Sequence, residues 1–168
     1  MKHTLYVLFL TALLASACSD SNICSETLDI PTLATFGTYV EDINEIDSYL
    51  AANNLVADTT ASGLRYVIYS DSTDRRPDLC DVPTVSYRGY FPNADTTIVF
   101  DSSDETDFTF DLSSSLVEGW REGMLLLTEK DSMTILMPSY LGYGLSPPNN
   151  SVIPENQILI FDIKLIEF

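Results

Sequence analysis

The chain has 168 residues, of which 45% are apolar, enough to bury the core of one ordinary domain and too many for global disorder. Its 25 acidic and 8 basic residues give a formal charge of −17. A surface of that sign repels phosphate backbones, so nucleic acid is excluded as an expected partner. The acidic residues are spread along the chain, which is typical of a solubilising surface.

The first 18 residues have the features of an export signal. A short basic start precedes an apolar run over 5–15, which is too short for a permanent membrane span. The run ends in ASAC (15–18), which resembles the lipobox of bacterial lipoproteins, although that motif prefers leucine at the position of Ala15. We predict a lipoprotein signal peptide over 1–17 and lipidation of Cys18. The expected location is the bacterial cell envelope, with the lipid in the outer membrane and the protein facing the periplasm or the surface. An ordinary cleavage site beside a chance cysteine is the alternative.

Two further cysteines, Cys24 and Cys80, would remain after lipidation of Cys18. An oxidising compartment allows a disulfide between them, and two free thiols are the alternative. Neither is expected to act in catalysis, because the only histidine, His3, would be removed with the signal peptide. That loss also removes His-based triads and most zinc sites, so no metal and no other cofactor is expected.

A helix is predicted ahead of the main body of the chain. Residues 18–32 are polar and are interpreted as a flexible tether. Apolar residues then recur at helical spacing, which predicts a helix over about 33–53 within a helix-and-linker segment over 33–63. These apolar residues are Val40, Ile43, Ile46 and Leu50. The helix would pack on its own domain or on a second copy, and packing within the chain is the expectation.

Residues 64–168 have the pattern of strands with one inserted helix. β-Branched and aromatic residues are enriched over 64–69, 84–91, 96–100, 107–112, 131–138 and 156–168. Residues 115–127 instead have helical spacing, with Val117, Trp120 and Met124 on one side. In the last segment, 156–168, alternation places one set of side chains on each face of the strand. One set is Leu159, Phe161, Ile163 and Leu165, and the other is Ile158, Ile160, Asp162 and Lys164. The predicted fold class is α+β, an antiparallel β-sheet wrapped around one short α-helix and preceded by an N-terminal helix.

Common catalytic and cofactor motifs are absent from the sequence, which has no GxGxxG, phosphate loop, HExxH or GxSxG. The strands are instead rich in aromatic residues. Aromatic side chains at alternating strand spacing are normally core residues, so composition alone favours a structural role for them.

Five sequence blocks occur in an order that resembles the FKBP family of peptidyl-prolyl isomerases. They are VSYRGYF (85–91), FDSS (100–103), LVEGWREGM (116–124), PSYLGYG (138–144) and VIPENQILIFDIKL (152–165). The family patterns are V-x-Y-x-G, FDSS, V-I-x-G-W-x-E-G, P-x-x-L-A-Y-G and I-I-P-x-N-x-x-L-x-F-x-V-x-L. The resemblance covers residues 64–168 as the isomerase domain. It implies five or six antiparallel strands around one short helix over about 116–126, with a ligand pocket between helix and sheet.

The resemblance also implies which positions form the pocket. Those expected to act on the substrate are Tyr87, Phe100, Asp101, Trp120, Tyr143 and Phe161. Those expected to hold it are Phe108, Leu116, Val117 and Ile153. In the family's arrangement Trp120 is the floor under the proline ring, and the Tyr143 hydroxyl and the Val117 N–H are hydrogen-bond donors. Asp101 is the charge at the rim, where it orients Tyr87 or accepts a hydrogen bond.

The function implied is peptidyl-prolyl cis-trans isomerisation during the folding of exported proteins. Rotation about a peptide bond is opposed by about 18–20 kcal/mol of resonance, and the twisted amide has a smaller dipole than the planar one. An apolar pocket therefore favours the twisted form relative to water, without a nucleophile or metal. The expected partners are proline-containing polypeptides, the membrane through the lipid anchor, and the macrolides tacrolimus and rapamycin. The alternatives are a binding module or chaperone that holds proline-containing segments without useful turnover, and a structural lipoprotein with a vestigial pocket.

Three positions depart from the family pattern. Leu116 replaces valine, and Gly142 replaces the alanine before Tyr143. Lys130 stands at the glycine of a turn, and because lysine is costly at positive φ, this turn is expected to differ from that of the family.

Overall fold

A computed structural model of the chain describes residues 27–30, 32, 39–69, 75–92, 98–103, 106–114 and 116–168. The predicted signal peptide, Cys18 and Cys24 lie outside these residues. Cys80 is disulfide-bonded. No helix in the described part of the chain has the length and apolar character needed to cross a membrane.

The described residues form two α-helices, seven β-strands and a short 3-10 helix. In chain order they are α1 (Val40–Ala52), β1 (Asp58–Thr59), β2 (Arg65–Ile68), β3 (Thr84–Tyr90), β4 (Val99–Ser102), β5 (Phe108–Thr109), α2 (Glu118–Met124), β6 (Ser132–Met137), the 3-10 helix (Ser139–Leu141) and β7 (Leu159–Glu167). The first helix, predicted over 33–53, is observed from Val40, and residues 33–38 lie outside the described part.

The strands form one antiparallel sheet in the order β1-β2-β6-β7-β3-β4, with β5 paired to β3. The C-terminal strand β7 lies between β6 and β3, where Phe161 is the partner of Ile135 on one side and of Gly89 on the other. This arrangement confirms the predicted α+β fold. One element was not predicted, because β1 falls in the segment interpreted as a linker, where it pairs with β2.

Helix α2 packs on the inner face of the sheet, where the main core lies. The helix has only seven residues, too few to be stable alone, so it depends on the burial of Trp120 and Met124. These side chains share one cluster with inward residues of β7, including Leu159, Phe161 and Leu165.

Helix α1 packs on the outer face of the sheet, as expected for packing within the chain. Ile46 and Leu50 are buried in a second cluster formed with Tyr90, Leu136, Ile158 and Ile160. The alternation predicted for β7 is therefore observed, since its two sets of apolar residues belong to the two clusters on opposite faces. Val40 lies at the exposed start of the helix.

The turn between α2 and β6 contains Lys130 with φ of 71°. Lysine thus occupies the left-handed conformation that glycine tolerates at lower cost. The turn is held by the Lys130 N–H, which donates to the Leu165 carbonyl, and by the Thr128 hydroxyl, which donates to the buried carboxylate of Asp131.

Candidate functional site

A cavity of about 240 Å³ lies between α2 and the inner face of the sheet, and its lining is mostly aromatic. It is lined by Tyr87, Asp101, Phe108, Leu116, Val117, Trp120, Tyr143 and Phe161. All eight are positions selected from the sequence. The other two selected positions, Phe100 and Ile153, do not line this cavity and pack, partly buried, against the same core cluster.

Trp120 is enclosed by edge-to-face contacts with other rings. Its ring centroid is 5.0 Å from that of Tyr87, 5.2 Å from that of Phe161 and 5.7 Å from that of Phe110, at interplanar angles of 90°, 89° and 69°. Such pairs are favoured by the charge distribution of the rings. The indole therefore has a fixed orientation at the cavity wall and is only 5% exposed.

Gly89 allows two rings to close against strand β3. A Cβ atom added at this position would lie 2.7 Å from both Phe100 and Phe161. Those rings meet edge to face with centroids 5.4 Å apart, and Phe100 stacks on Phe91 at 5.0 Å. Phe100 thus packs against Phe161 without lining the cavity itself.

Among the residues that the structure describes, the charged group that lines the cavity is Asp101, which orients a neighbouring hydroxyl. The Tyr87 hydroxyl donates to Asp101 Oδ2 at 2.9 Å. Burial raises the pKa of Tyr87 well above its usual value, and the hydrogen bond to Asp101 and its charge act in the same direction. The phenol therefore stays protonated and remains a donor.

Two hydrogen-bond donors at the cavity have no partner among the described residues. They are the Tyr143 hydroxyl and the Val117 backbone N–H, which lies at the extended residue before α2. Burial, and then the charge of Asp101, raises the pKa of Tyr143, so its hydroxyl also stays protonated. A mostly aromatic cavity thus offers these two donors to a carbonyl group of a ligand.

A larger cavity of about 730 Å³ lies on the outer face of the sheet and has a different character. Its side chains are mainly hydroxyl-bearing or charged, including Tyr69, Asp162 and Lys164. Two of them, Tyr69 and Asp162, are linked through Thr134, which donates to Asp162 at 2.6 Å and lies 2.9 Å from the Tyr69 hydroxyl. We therefore assign the functional site to the smaller aromatic cavity, where two donors lack a partner in the described part of the chain.

The sheet, the short helix and the aromatic cavity between them define an FKBP-like domain. The chain matches the FKBP-type peptidyl-prolyl cis-trans isomerase family over residues 73–166 and belongs to it.

Individual relatives agree with this assignment. A Neisseria meningitidis protein named "Probable FKBP-type peptidyl-prolyl cis-trans isomerase FkpA" is 40% identical over 111 residues, which are 65% of this chain and 39% of that protein. FK506-binding protein 2 of Dictyostelium discoideum is 36% identical over 101 residues, 54% of this chain and 73% of that protein. The crystal structure of FkpA from Escherichia coli has a similar fold, with a TM-score of 0.63 at 23% identity, and the match covers 80% of this chain and 62% of that one. The chain thus spans about two fifths of the length of the Neisseria protein.

Sequence reasoning did not assign a site role to three residues that shape the cavity. Phe110 contacts Trp120, Phe91 supports Phe100, and Gly89 leaves room for the rings. A signal was available for Phe110, because strand alternation places it on the same face as Phe108, and their rings stack at 5.1 Å.

Proposed function

We propose that this chain is a peptidyl-prolyl cis-trans isomerase and that it acts in the aromatic cavity. The observation that carries the proposal is a pair of donors without a partner among the described residues, the Tyr143 hydroxyl and the Val117 N–H, at a cavity whose lining, Asp101 apart, is aromatic and apolar. Membership of the isomerase family supports the same activity.

The reaction needs a pocket that favours a twisted X-Pro amide over a planar one. Water stabilises the larger dipole of the planar amide, so transfer into an apolar cavity lowers the relative free energy of the twisted form. The proline ring lies against Trp120, and Phe161 forms a wall of the cavity. No covalent bond to the protein is formed or broken, and the catalysis is complementarity to the transition state.

The polar groups act on carbonyls of the bound segment. Tyr143 donates from its hydroxyl, and the Val117 N–H donates from the start of α2. Asp101 holds the Tyr87 hydroxyl and thereby fixes that ring beside Trp120. None of these groups needs to transfer a proton.

A proline tetrapeptide assay tests the activity. Purified protein is expected to accelerate cis-trans exchange of the X-Pro bond, measured by protease-coupled absorbance or by exchange NMR. Binding of the peptide without acceleration would instead support a non-catalytic binding module or chaperone. If the protein neither binds the peptide nor accelerates its exchange, the result would support a structural protein with a vestigial pocket.

We also propose that the cavity binds tacrolimus or rapamycin in competition with the substrate. The name of the Dictyostelium relative, FK506-binding protein 2, supports this ligand class. Trp120 is the only tryptophan of the chain, so its fluorescence reports on the cavity directly. Titration should change this fluorescence and inhibit the isomerase activity with the same apparent Kd. If the enzyme is active and neither macrolide changes its fluorescence or its rate, both are excluded as ligands.

We further propose that the protein is exported, lipidated at Cys18 and anchored in the cell envelope, where its substrates are exported polypeptides. The support is the sequence of residues 1–18, with 18–32 as the tether. Replacing Cys18 with serine should release the protein from the membrane fraction or block its maturation. An intact mass that includes an unmodified Cys18 would contradict lipidation.

We also propose a disulfide bridge between Cys24 and Cys80, which the disulfide-bonded state of Cys80 supports. Non-reducing peptide mapping should recover the peptides of Cys24 and Cys80 as one species. Recovery of Cys24 as a free thiol would exclude this pairing.

A further inference from the structure

A carboxylate on α1 contacts the segment that carries Tyr143. Asp42 Oδ2 accepts hydrogen bonds from the Ser139 N–H at 2.8 Å and from the Ser139 hydroxyl at 2.7 Å. The two residues are 97 positions apart, and Ser139 is fully buried. Asp42 therefore satisfies two donors that have left water at the start of the 3-10 helix.

The carbonyl of Ser139 continues this chain of hydrogen bonds to both neighbours of Tyr143. It accepts from the Gly142 N–H at 3.0 Å and from the Gly144 N–H at 2.9 Å. On the far side, the Gly144 carbonyl accepts from the Asn156 N–H at 2.7 Å. The backbone on each side of Tyr143 is thus tied to Ser139, and Ser139 is tied to Asp42.

Helix α1 is itself held firmly on the domain. Ile46 and Leu50 are buried against the outer face of the sheet. At the start of the helix, the Tyr39 ring packs on the Tyr140 ring at 4.6 Å, and the Tyr140 hydroxyl donates to the Ser62 carbonyl at 2.7 Å. These contacts fix the position of α1 on the domain, so Asp42 can restrain the segment that carries Tyr143.

We propose that Asp42 is a positioning residue for the isomerase reaction, acting through Ser139 to set the place of the Tyr143 hydroxyl at the cavity. The proposal rests on the proposed function. Asp42 precedes the family match over 73–166, so this chain would complete its site with a residue from the helix ahead of the isomerase domain.

The test compares three variants of the full chain. Asp42→Ala removes both acceptor contacts, whereas Asp42→Asn keeps an oxygen acceptor. Asp47→Asn is the matched control, because Asp47 lies on the same helix and pairs at 3.2 Å with Arg65. For each variant, kcat and KM are measured with a proline tetrapeptide, and the folded fraction is measured by circular dichroism in the assay buffer.

We expect Asp42→Ala to lower kcat on the order of tenfold with KM nearly unchanged, since small displacements of a catalytic group are costly and the donor acts mainly on the twisted amide. Asp42→Asn should recover most of the loss, and Asp47→Asn should match the parent. A folded Asp42→Ala variant with parental kcat would overturn the proposal, and so would equal losses in Asp42→Ala and Asp47→Asn.

A second measurement separates this inference from the proposed activity. Amide hydrogen exchange at Gly142 and Gly144 should accelerate in Asp42→Ala relative to the sheet amides, and not in Asp47→Asn. An inactive parent would refute the proposed function. With an active parent, unchanged exchange in Asp42→Ala would refute the positioning role alone. If Asp42→Ala does not fold, the same measurements are made on Ser139→Ala. This variant loses the hydroxyl donor and keeps the N–H donor. Ser139→Ala should lower kcat and accelerate hydrogen exchange at the amides of Gly142 and Gly144. Parental kcat together with parental exchange rates would overturn the inference.

Discussion

The Trp120 indole and the Phe161 ring are perpendicular, at 89°, with 5.2 Å between their centroids. Trp120 lies on α2 and Phe161 on the central strand β7, so this contact joins the helix to the middle of the sheet. The same two rings line the cavity, and the residues that stabilise the fold are in part those that form the site.

Replacing Trp120 with alanine should therefore reduce both stability and activity. A large buried ring is lost, which typically costs about 3–5 kcal/mol. The free energy of unfolding in urea measures this cost. Trp120→Phe is the control and should recover a large part of the stability. An unfolding free energy within about 1 kcal/mol of the parent for Trp120→Ala would show that the ring contributes little to the core.

Replacing Tyr143 with phenylalanine should instead lower turnover and leave the fold intact. The ring is kept, and the hydroxyl that is lost has no partner among the described residues, so no internal hydrogen bond is broken. Parallel measurements of kcat and of the thermal unfolding midpoint test this. A variant that turns over substrate like the parent would rule out Tyr143 as a donor.

Replacing Gly89 with alanine should destabilise the domain by about 1–3 kcal/mol, the typical cost of overpacking. The added Cβ would lie 2.7 Å from two aromatic rings, which have little room to move. Gly119→Ala is the matched control: its nearest atom, also at 2.7 Å, is the terminal methyl carbon of the flexible Met137 side chain, and alanine is the better helix former. Equal losses of stability in the two variants would contradict this explanation.

Replacing Lys130 with glycine should stabilise the protein by about 0.5–1 kcal/mol. The φ of 71° costs an L-residue about 1–2 kcal/mol, and part of the gain is offset by the greater freedom of glycine in the unfolded chain. The lysine side chain is 81% exposed and, within the described ranges, pairs with Glu129 alone, so little else is lost. Lys130→Ala keeps the strained backbone and should show no gain. A gain as large for alanine as for glycine would show that the lysine side chain, not the backbone angle, is responsible.

Stability should fall at alkaline pH as buried tyrosines ionise. Burial raises the pKa of Tyr140 to about 12, with the charge of Asp42 adding to the effect. In the unfolded chain this pKa is about 10. Folding thus favours the protonated phenol, a contribution that is complete below about pH 10 and lost as pH rises through about 12. Tyr140→Phe should lose stability less steeply over this interval, as measured by urea unfolding. An identical slope would exclude Tyr140 as a contributor.

The sequence contained enough local information to predict the elements and the sheet faces, but not the contacts between distant segments. Alternation in residues 158–165 predicted that Phe161 and Ile160 lie on opposite faces, as the structure shows, because side-chain direction in a strand has a period of two. Strand β1 could not be predicted, since its two residues have no strand pattern and are ordered by their partner β2. The Asp42–Ser139 contact joins residues with no shared periodicity, and only the tertiary fold brings them together.

The position of β7 in the middle of the sheet also determines when this domain can fold. Without β7, the strands separate into two unconnected groups, β1-β2-β6 and β3-β4-β5, because β7 alone pairs with both. During synthesis the sheet therefore remains incomplete until residues 159–167 have left the ribosome. A polypeptide with this order of strands cannot complete its native sheet until β7 is available to join the two groups.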